Sequence, residues 1–167
     1  MTDAGGEPLH PNVQRVVEAA ARAGLLIEVV RFPHGTRTAE DAARAVGCAV
    51  AQIVKSLIFV VDGSPVVALV SGADRLDPAR LAAAMNGTHV RRAEGDEVRA
   101  ATGYAIGGVP PLGHARQLPI LIDDHLLVHA EVWAAAGLPD AVFRVAPAAL
   151  ERAAGARRAS LAADPTS

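Results

Sequence analysis

Residues 52–61 read QIVKSLIFVV and residues 65–72 read PVVALVSG, and these two stretches decide the fold. Both are apolar and rich in β-branched side chains, which favours β-strands. The dipeptide Asp62-Gly63 between them is a hairpin turn signal. Their near-continuous apolar character indicates that the hairpin is buried on both faces for part of its length.

Weaker patterns surround this hairpin. Strands are predicted at 26–32, 118–123 and 141–145, with 88–93 as a further candidate. Helices are predicted where a capping residue or a proline precedes a helical pattern, at 11–24, 38–47, 77–87, 94–103 and 147–155. Residues 129–137 are ambiguous, because their alanines favour a helix while their neighbours favour a strand. The long strand-rich middle predicts an α+β fold with a mixed or antiparallel sheet.

The length of 167 residues suits one domain. We expect that domain to cover residues 11–156. The segments 1–10 and 157–167 are small, polar and without periodicity, so we expect a flexible N-terminus and a flexible C-terminal tail.

Composition excludes several classes of protein. An apolar fraction of 51% with a net charge of −2 argues against a disordered chain, and against a protein that coats nucleic acid with a basic face. No apolar run approaches the ~20 residues of a membrane span, and we expect no signal peptide. The single cysteine, Cys48, is expected to pack as a small apolar side chain, and a cytoplasmic location fits best.

The sequence contains only one lysine, Lys55, in the middle of the first hairpin strand. Two interpretations stay open from spacing alone. Lys55 can point to water from an alternating strand, as most lysines do. Alternatively, it lies at the mouth of a pocket and offers a compact ammonium to a phosphate or an ester carbonyl, for which a planar guanidinium is no substitute.

The second distinctive stretch is GGVPPLG at residues 107–113. Two glycines allow a ligand to approach the backbone closely, and the two prolines stiffen the loop. Exposed N–H groups at such a turn can hold an anion or an oxyanion. An ordinary tight connection is the alternative. Neither nucleotide-binding glycine motif is present.

Other candidate residues give weaker indications. His125 and His129 are four residues apart, but without an H-E-x-x-H pattern we predict no metal site. No G-x-S-x-G motif marks a nucleophilic serine. Four arginines are either phosphate contacts or solvated surface residues: Arg91, Arg92, Arg99 and Arg116.

Together these residues resemble the YbaK/prolyl-tRNA synthetase editing-domain superfamily of aminoacyl-tRNA deacylases, from about Thr38 to Leu150. The resemblance lies in IVKSLIF (53–59), the short helix after Asp77, TGYAIGGVPPLGH (102–114) and LPILID (118–123). It implies a mixed, mostly antiparallel sheet of six or seven strands that forms a partial barrel surrounded by short helices. It also implies that 129–137 is at least partly a strand.

The resemblance implies a freestanding editing hydrolase that cleaves the ester bond of mischarged aminoacyl-tRNA and so proofreads translation, without a cofactor. Lys55 would contact the terminal adenosine or its phosphate, and Gly107 and Gly108 would offer backbone groups to the reacting ester. The ribose 2′-OH would help to activate water. The implied substrate-binding residues are Val109, Pro110, Pro111, Gly137 and Asp140.

The implied partner is the acceptor end of an aminoacyl-tRNA, with a synthetase or an elongation factor as a candidate source of further tRNA affinity. No membrane or DNA partner is expected, and the oligomeric state is not predicted. Ala134–Ala136 stand where some relatives have polar residues, which fits a small amino acid such as alanine or serine. A non-catalytic module that binds an aminoacyl-like or nucleotide-like ligand or a partner protein remains an alternative, as does a hydrolase of other esters.

Overall fold

The protein is described by a computed structural model that covers residues 8–32, 36 and 38–165. Eight strands form one sheet in the part described, and five α-helices pack around it. The strands are β1 (Val29–Arg31), β2 (Ile53–Val61), β3 (Ser64–Ser71), β4 (Val90–Arg92), β5 (Ile120–Asp123), β6 (Val132–Ala135), β7 (Ala141–Val145) and β8 (Arg157–Ala159). The helices are α1 (Pro11–Arg22), α2 (Ala39–Val46), α3 (Pro78–Met85), α4 (Gly95–Thr102) and α5 (Pro147–Ala154).

The predicted hairpin is confirmed. Strands β2 and β3 pair antiparallel from Val54↔Ser71 to Val61↔Ser64. The two turn residues, Asp62 and Gly63, have φ angles of 47° and 84°. Positive φ at both positions is what a tight two-residue hairpin turn requires, and Asp-Gly tolerates it well.

The sheet has the order β1-β7-β6-β2-β3-β5-β8, with β4 paired to β2 outside this path. Four pairings are antiparallel and three are parallel, namely β2–β6, β3–β5 and β5–β8. The predicted α+β class with a mostly antiparallel sheet is therefore confirmed. The sheet is not closed into a complete barrel.

The C-terminal tail was expected to be flexible from residue 157, and the structure differs. Arg157–Ala159 form β8, which pairs with β5, and Leu161 and Ala162 are buried. The backbone N–H groups of Leu161 and Ala162 donate to Asp123 Oδ1 over 2.6 and 3.0 Å. This short segment has no periodicity of its own, so its order depends on partners distant in sequence. Residues 1–7 of the predicted N-terminal segment lie outside the described residues.

Residues 132–135 form β6 and not a helix, as the family resemblance implies. Strand β6 pairs with β2 on one side and with β7 on the other. Pairing on both edges outweighs the helix propensity of its alanines. The main core packs α1 against the sheet through fully buried small aliphatic residues such as Val13, Val16 and Leu69, together with Phe143.

The pairing of strand β2 is interrupted along the edge opposite β3. It pairs there with β6 only at Ile53 and Val54, and with β4 only at 59–61. Among the described residues no strand pairs with this edge between those two contacts. The sheet therefore has a gap beside Lys55 and Ser56. No helix of the described part has the length and apolar character needed to span a bilayer.

Candidate functional site

A cavity of about 330 Å³ lies beside the interrupted edge of β2. Its wall comes from β2, β6, β7, α2, the end of β4, the middle of α4, and the loop residues Ile106, Gly107, Val109 and Pro139. Most of this wall is apolar. The polar or charged residues that contribute to it are Thr36, Thr38, Lys55, Ser56 and Arg92.

Lys55 is half-buried and lines the cavity, which favours the pocket interpretation over a fully solvated lysine. Its ammonium donates a hydrogen bond to the backbone carbonyl of Asp74. Burial lowers the pKa of Lys55, the Asp74 carboxylate opposes that shift, and Arg92 reinforces it. A partly desolvated ammonium interacts more strongly with an incoming anion than a solvated one does.

Ser56 has the least satisfied side chain of the cavity wall. Its Oγ is buried and has no hydrogen-bond partner among the described residues. The carbonyl of Ile53 accepts from Gly72 N on the β3 side, whereas that of Ile58 accepts from Ala93 N on the opposite side. Because backbone groups alternate along a strand, the N–H and C=O of Ser56 also point away from β3, into the gap. Ser56 thus offers several hydrogen-bonding groups to an occupant of the cavity.

The glycine-rich loop contributes to the cavity unevenly. Gly107, with φ +92°, and Val109 line it, whereas the buried Pro110 and Pro111 do not. Gly108 packs against the neighbouring loop, because a Cβ there would lie only 2.9 Å from the carbonyl oxygen of Gly137.

His114 holds the far end of this loop. Its Nε2 lies 2.7 Å from the carbonyl oxygen of Pro110, a contact in which only the imidazole can donate. Burial lowers the pKa of His114, which favours the neutral imidazole. The loop is therefore held by contacts at Gly108 and at Pro110.

The two remaining predicted substrate-binding residues do not line the cavity. Gly137 has φ +96°, and a Cβ there would lie 2.8 Å from the carbonyl oxygen of Asn12. Asp140 forms an ion pair with Arg31, with 3.2 Å between Oδ2 and Nη2. Gly137 thus supports the wall through close backbone contacts, and Asp140 is engaged at the edge of the sheet next to β1.

Sequence reasoning missed part of the wall. Thr36, whose hydroxyl donates to the carbonyl of Pro139, was not singled out, and neither was Trp133. Ser56 could have been noticed, since a serine inside a strand expected to be buried on both faces needs a partner. Arg92 was only one of four candidate arginines, and the structure separates it from Arg91, which is paired with Glu97 at 2.7 Å.

Among the described residues, the one group of potential metal ligands includes His125 but not His129. His125 instead lies with Asp74 and Asp123, and their potential ligand atoms are within 4.8 Å of one another. Hydrogen bonds already engage these three side chains. Cys48 is partly exposed and packs near Ile53 and Trp133, and burial raises the pKa of its thiol.

The fold and the cavity define an α+β domain in which a lysine and a glycine-rich loop line one cavity beside an interrupted strand edge. Residues 34–153 match the profile of the aminoacyl-tRNA editing domain. The chain belongs to this family, which is the YbaK/prolyl-tRNA synthetase editing-domain family.

Individual relatives agree with this assignment. A solved structure described as a provisional trans-editing enzyme for prolyl-tRNA synthetase superposes with a TM-score of 0.89 at 46% identity, over 94% of this chain and 100% of that one. EbsC of Enterococcus faecalis, provisionally named a Cys-tRNA(Pro)/Cys-tRNA(Cys) deacylase, is 30% identical over 68% of this chain and 70% of its own length. The proline–tRNA ligase of Acidithiobacillus ferrooxidans is 36% identical over 62% of this chain, which spans only 18% of the ligase.

Proposed function

We propose that this protein is a trans-editing hydrolase that cleaves the ester bond of mischarged aminoacyl-tRNA in the cytoplasm. The observation that carries the proposal is the cavity, in which Lys55, Gly107 and Val109 line the same space. Membership of the editing-domain family supports it. The resemblance to deacylase and trans-editing relatives points in the same direction.

The reaction needs few protein groups. Water adds to the ester carbonyl, the bond from that carbon to the ribose oxygen breaks, and the amino acid and a free ribose hydroxyl result. The N–H of Gly108 already donates to the carbonyl of Ala105 over 3.0 Å, so the proposed donors to the oxyanion are the backbone N–H groups of Gly107, Val109 and Ser56. Lys55 would hold the terminal nucleotide, and the ribose 2′-OH would activate the water.

The wall of the cavity fits a small aminoacyl group. Ala134, Ala135 and Val142 contribute short aliphatic side chains to it. Val109 lines it from the loop, with Pro110 and Pro111 as rigid support. We expect an alanyl or seryl ester to be accepted, and the likeness to EbsC makes a cysteinyl ester a necessary member of any test panel.

The proposed macromolecular partner is the acceptor end of the tRNA. Arg92 lines the cavity close to Lys55, and no acidic side chain pairs with it among the described residues. It is therefore a candidate contact for a phosphate near the 3′ end. The net charge of −2 offers little affinity for the rest of a tRNA, so a synthetase or an elongation factor is a candidate source of additional affinity.

A deacylation assay on a panel of mischarged tRNAs tests the proposal. The panel includes alanyl, seryl and cysteinyl esters on tRNA(Pro), with correctly charged prolyl-tRNA as the control substrate. The Lys55→Ala variant should lose about 10- to 100-fold in kcat/KM, which is what a lost charged hydrogen bond costs. The Lys55→Arg variant should not restore it, since a guanidinium has a different shape.

Arg116→Ala, which changes a surface arginine that does not line the cavity, serves as the matched control and should behave like the wild type. If folded wild-type protein deacylates no member of the panel, the proposed activity is wrong. Binding of the same tRNAs without hydrolysis would then favour a non-catalytic module.

A further inference from the structure

The loop between β3 and α3 contains the residue that holds Lys55. The ammonium of Lys55 donates to the backbone carbonyl of Asp74 in this loop. The Asp74 carboxylate points elsewhere, and its Oδ2 lies 2.8 Å from Nδ1 of His125. Since the carboxylate can only accept when ionised, Nδ1 of His125 is the donor. Asp74 therefore contacts the proposed catalytic lysine through its backbone and a histidine through its side chain.

His125 is itself held by a buried group. It follows β5, and its backbone N–H donates to Oδ2 of Asp123 over 2.9 Å. Asp123 is only 1% exposed, and its other oxygen accepts from the backbone N–H groups of Leu161 and Ala162. A chain of hydrogen bonds thus leads from the cavity to the C-terminal segment.

The C-terminal segment also fixes the rest of the loop. The N–H of Asp77 donates to the carbonyl of Leu161 over 2.8 Å, and the N–H of Ala163 donates to the carbonyl of Arg75 over 2.7 Å. Asp74 N donates to Ser71 O over 3.0 Å at the start of the loop. The loop is held at both ends, and within the described part of the chain the hydrogen bond with His125 is the one that restrains the Asp74 side chain.

We propose that His125 and Asp74 are positioning residues for Lys55: the His125–Asp74 hydrogen bond fixes the loop so that the Asp74 carbonyl holds the ammonium at the cavity. The proposal rests on the proposed function for its kinetic consequence, but the ordering of Lys55 can be observed without any substrate. It also gives a role to the C-terminal segment, which supports the Asp74 loop through Asp123 and through Leu161.

The charges around these groups make the effect dependent on pH. His125 faces the carboxylates of Asp74, Asp123 and Asp124, and the hydrogen bond with Asp74 is the main cause of its raised pKa. Lys55 faces Asp74 and Glu40 as anions and Arg92 and Arg75 as cations. The charged form of His125 donates the stronger hydrogen bond, so its contribution is largest at low pH and declines as pH rises through the raised pKa.

The single lysine makes a direct test possible. Protein labelled with ¹³C,¹⁵N-lysine has one lysine side-chain signal, which belongs to Lys55, provided that any purification tag lacks lysine. In the wild type the two Hε protons should be inequivalent, because the ammonium is held in one position. In His125→Ala they should approach equivalence, while the amide spectrum of the sheet shows that the protein remains folded.

Two further variants separate positioning from charge. His125→Asn keeps a donor near the position of Nδ1 without a charge, so it should restore the inequivalent Hε signals. Asp124→Asn removes a negative charge that raises the pKa of His125 but leaves the His125–Asp74 hydrogen bond in place. Its Lys55 signals should resemble those of the wild type. Unchanged Lys55 signals in His125→Ala would overturn the proposal.

Kinetics supply the second readout. With a tRNA that the wild type deacylates, His125→Ala should lower kcat/KM by about three- to tenfold, since only one restraint on Lys55 is lost. The loss should divide between kcat and KM in the same way as the loss in Lys55→Ala. In a protein that already carries Lys55→Ala, adding His125→Ala should have no further effect. The kcat/KM of the wild type divided by that of His125→Asn should fall as pH rises.

The two proposals can fail separately. An inactive wild type with an ordered, His125-dependent Lys55 would overturn the hydrolase and leave the positioning role standing. If the wild type is active and His125→Ala lowers kcat/KM by the same factor in the wild type and in Lys55→Ala, His125 supports only the fold. The positioning role would then be wrong.

Discussion

Two loops support the site, one by holding Lys55 and the other by lining the cavity with Gly107 and Val109, and they are held by different kinds of interaction. The loop that contains Asp74 is held by hydrogen bonds and charges, which come from His125 and from the C-terminal segment. The loop that contains Gly107 and Gly108 is held by close packing of Gly108 against the backbone of Gly137, and its one histidine contact, from His114 to Pro110, favours a neutral imidazole. The first loop positions a side chain, whereas the second presents its own backbone.

The difference teaches what each loop tolerates. A contact made by hydrogen bonds weakens when a charge is lost, so the Asp74 loop should respond to pH and to isosteric substitutions. A contact made by close packing fails when volume is added, so the Gly107–Gly108 loop should respond to single methyl groups.

The largest expected effect is that of Gly137→Ala, which tests the packing of the segment against which Gly108 lies. The added methyl group would lie 2.8 Å from the carbonyl oxygen of Asn12, and the φ of +96° is strained for alanine. We expect a loss of about 3 kcal/mol in the free energy of unfolding, from strain and overpacking together. Denaturant unfolding measures it.

Gly155→Ala is the control, because it has the strained φ of +64° with no atom within 4 Å of the added Cβ. It should cost only about 1 kcal/mol. Equal losses in the two variants would show that the contact with Asn12 contributes nothing and that close packing does not hold the segment at Gly137, which supports Gly108.

Ser56→Ala and Ser71→Ala make the same substitution on two paired strands. We expect smaller changes in the free energy of unfolding, with opposite signs for the two variants. Ser71 is 1% exposed, and its Oγ donates to Ala51 O over 2.8 Å and accepts from Ala73 N at the start of the Asp74 loop. Ser71→Ala should lower the free energy of unfolding by about 1–2 kcal/mol. Ser56→Ala removes a buried hydroxyl without a partner and should raise it by about 1 kcal/mol.

Deacylation sharpens this test. If the Ser56 hydroxyl contacts the substrate, Ser56→Ala should lower kcat/KM although the protein becomes more stable. A more stable variant with unchanged activity would mean that only the backbone of Ser56 faces the reaction. A less stable variant would mean that the hydroxyl has a partner in solution.

Local sequence patterns were sufficient for the parts of the fold that local interactions determine. The β2–β3 hairpin, its Asp62-Gly63 turn and most helix boundaries follow from adjacent residues. The positions of Lys55, Gly107 and Val109 on the cavity follow from the motifs that contain them. Strand β6 required the family resemblance, because its alanines favour a helix until β2 and β7 pair with it.

The remainder depends on contacts between distant segments. Nothing near Leu161 indicates that its backbone N–H reaches Asp123, which is 38 positions away. Asp74 and His125 are 51 positions apart, so their hydrogen bond is equally invisible in the sequence. Ser56 belongs to a confident strand, but its lack of a neighbour follows from where β4 and β6 end.

The smallest expected effect compares two histidines, one for each loop. Burial lowers the pKa of His114 below 6.5, so its contribution to stability is present above about pH 6.5 and is lost as pH falls through the lowered pKa. The hydrogen bond with Asp74 raises the pKa of His125 above 6.5, so its contribution is present below that pH and is lost as pH rises through the raised pKa.

The matched variants are His114→Gln and His125→Asn, since each keeps a neutral donor near the nitrogen that makes the observed contact. The difference in unfolding free energy between wild type and His114→Gln should shift against the wild type as pH falls below 6.5. As pH falls, the difference in unfolding free energy between wild type and His125→Asn should shift in favour of the wild type. The shift should be less than about 1 kcal/mol, because the imidazole is 61% exposed. Slopes of the same sign would mean that the two histidine contacts do not differ in the charge state that they favour.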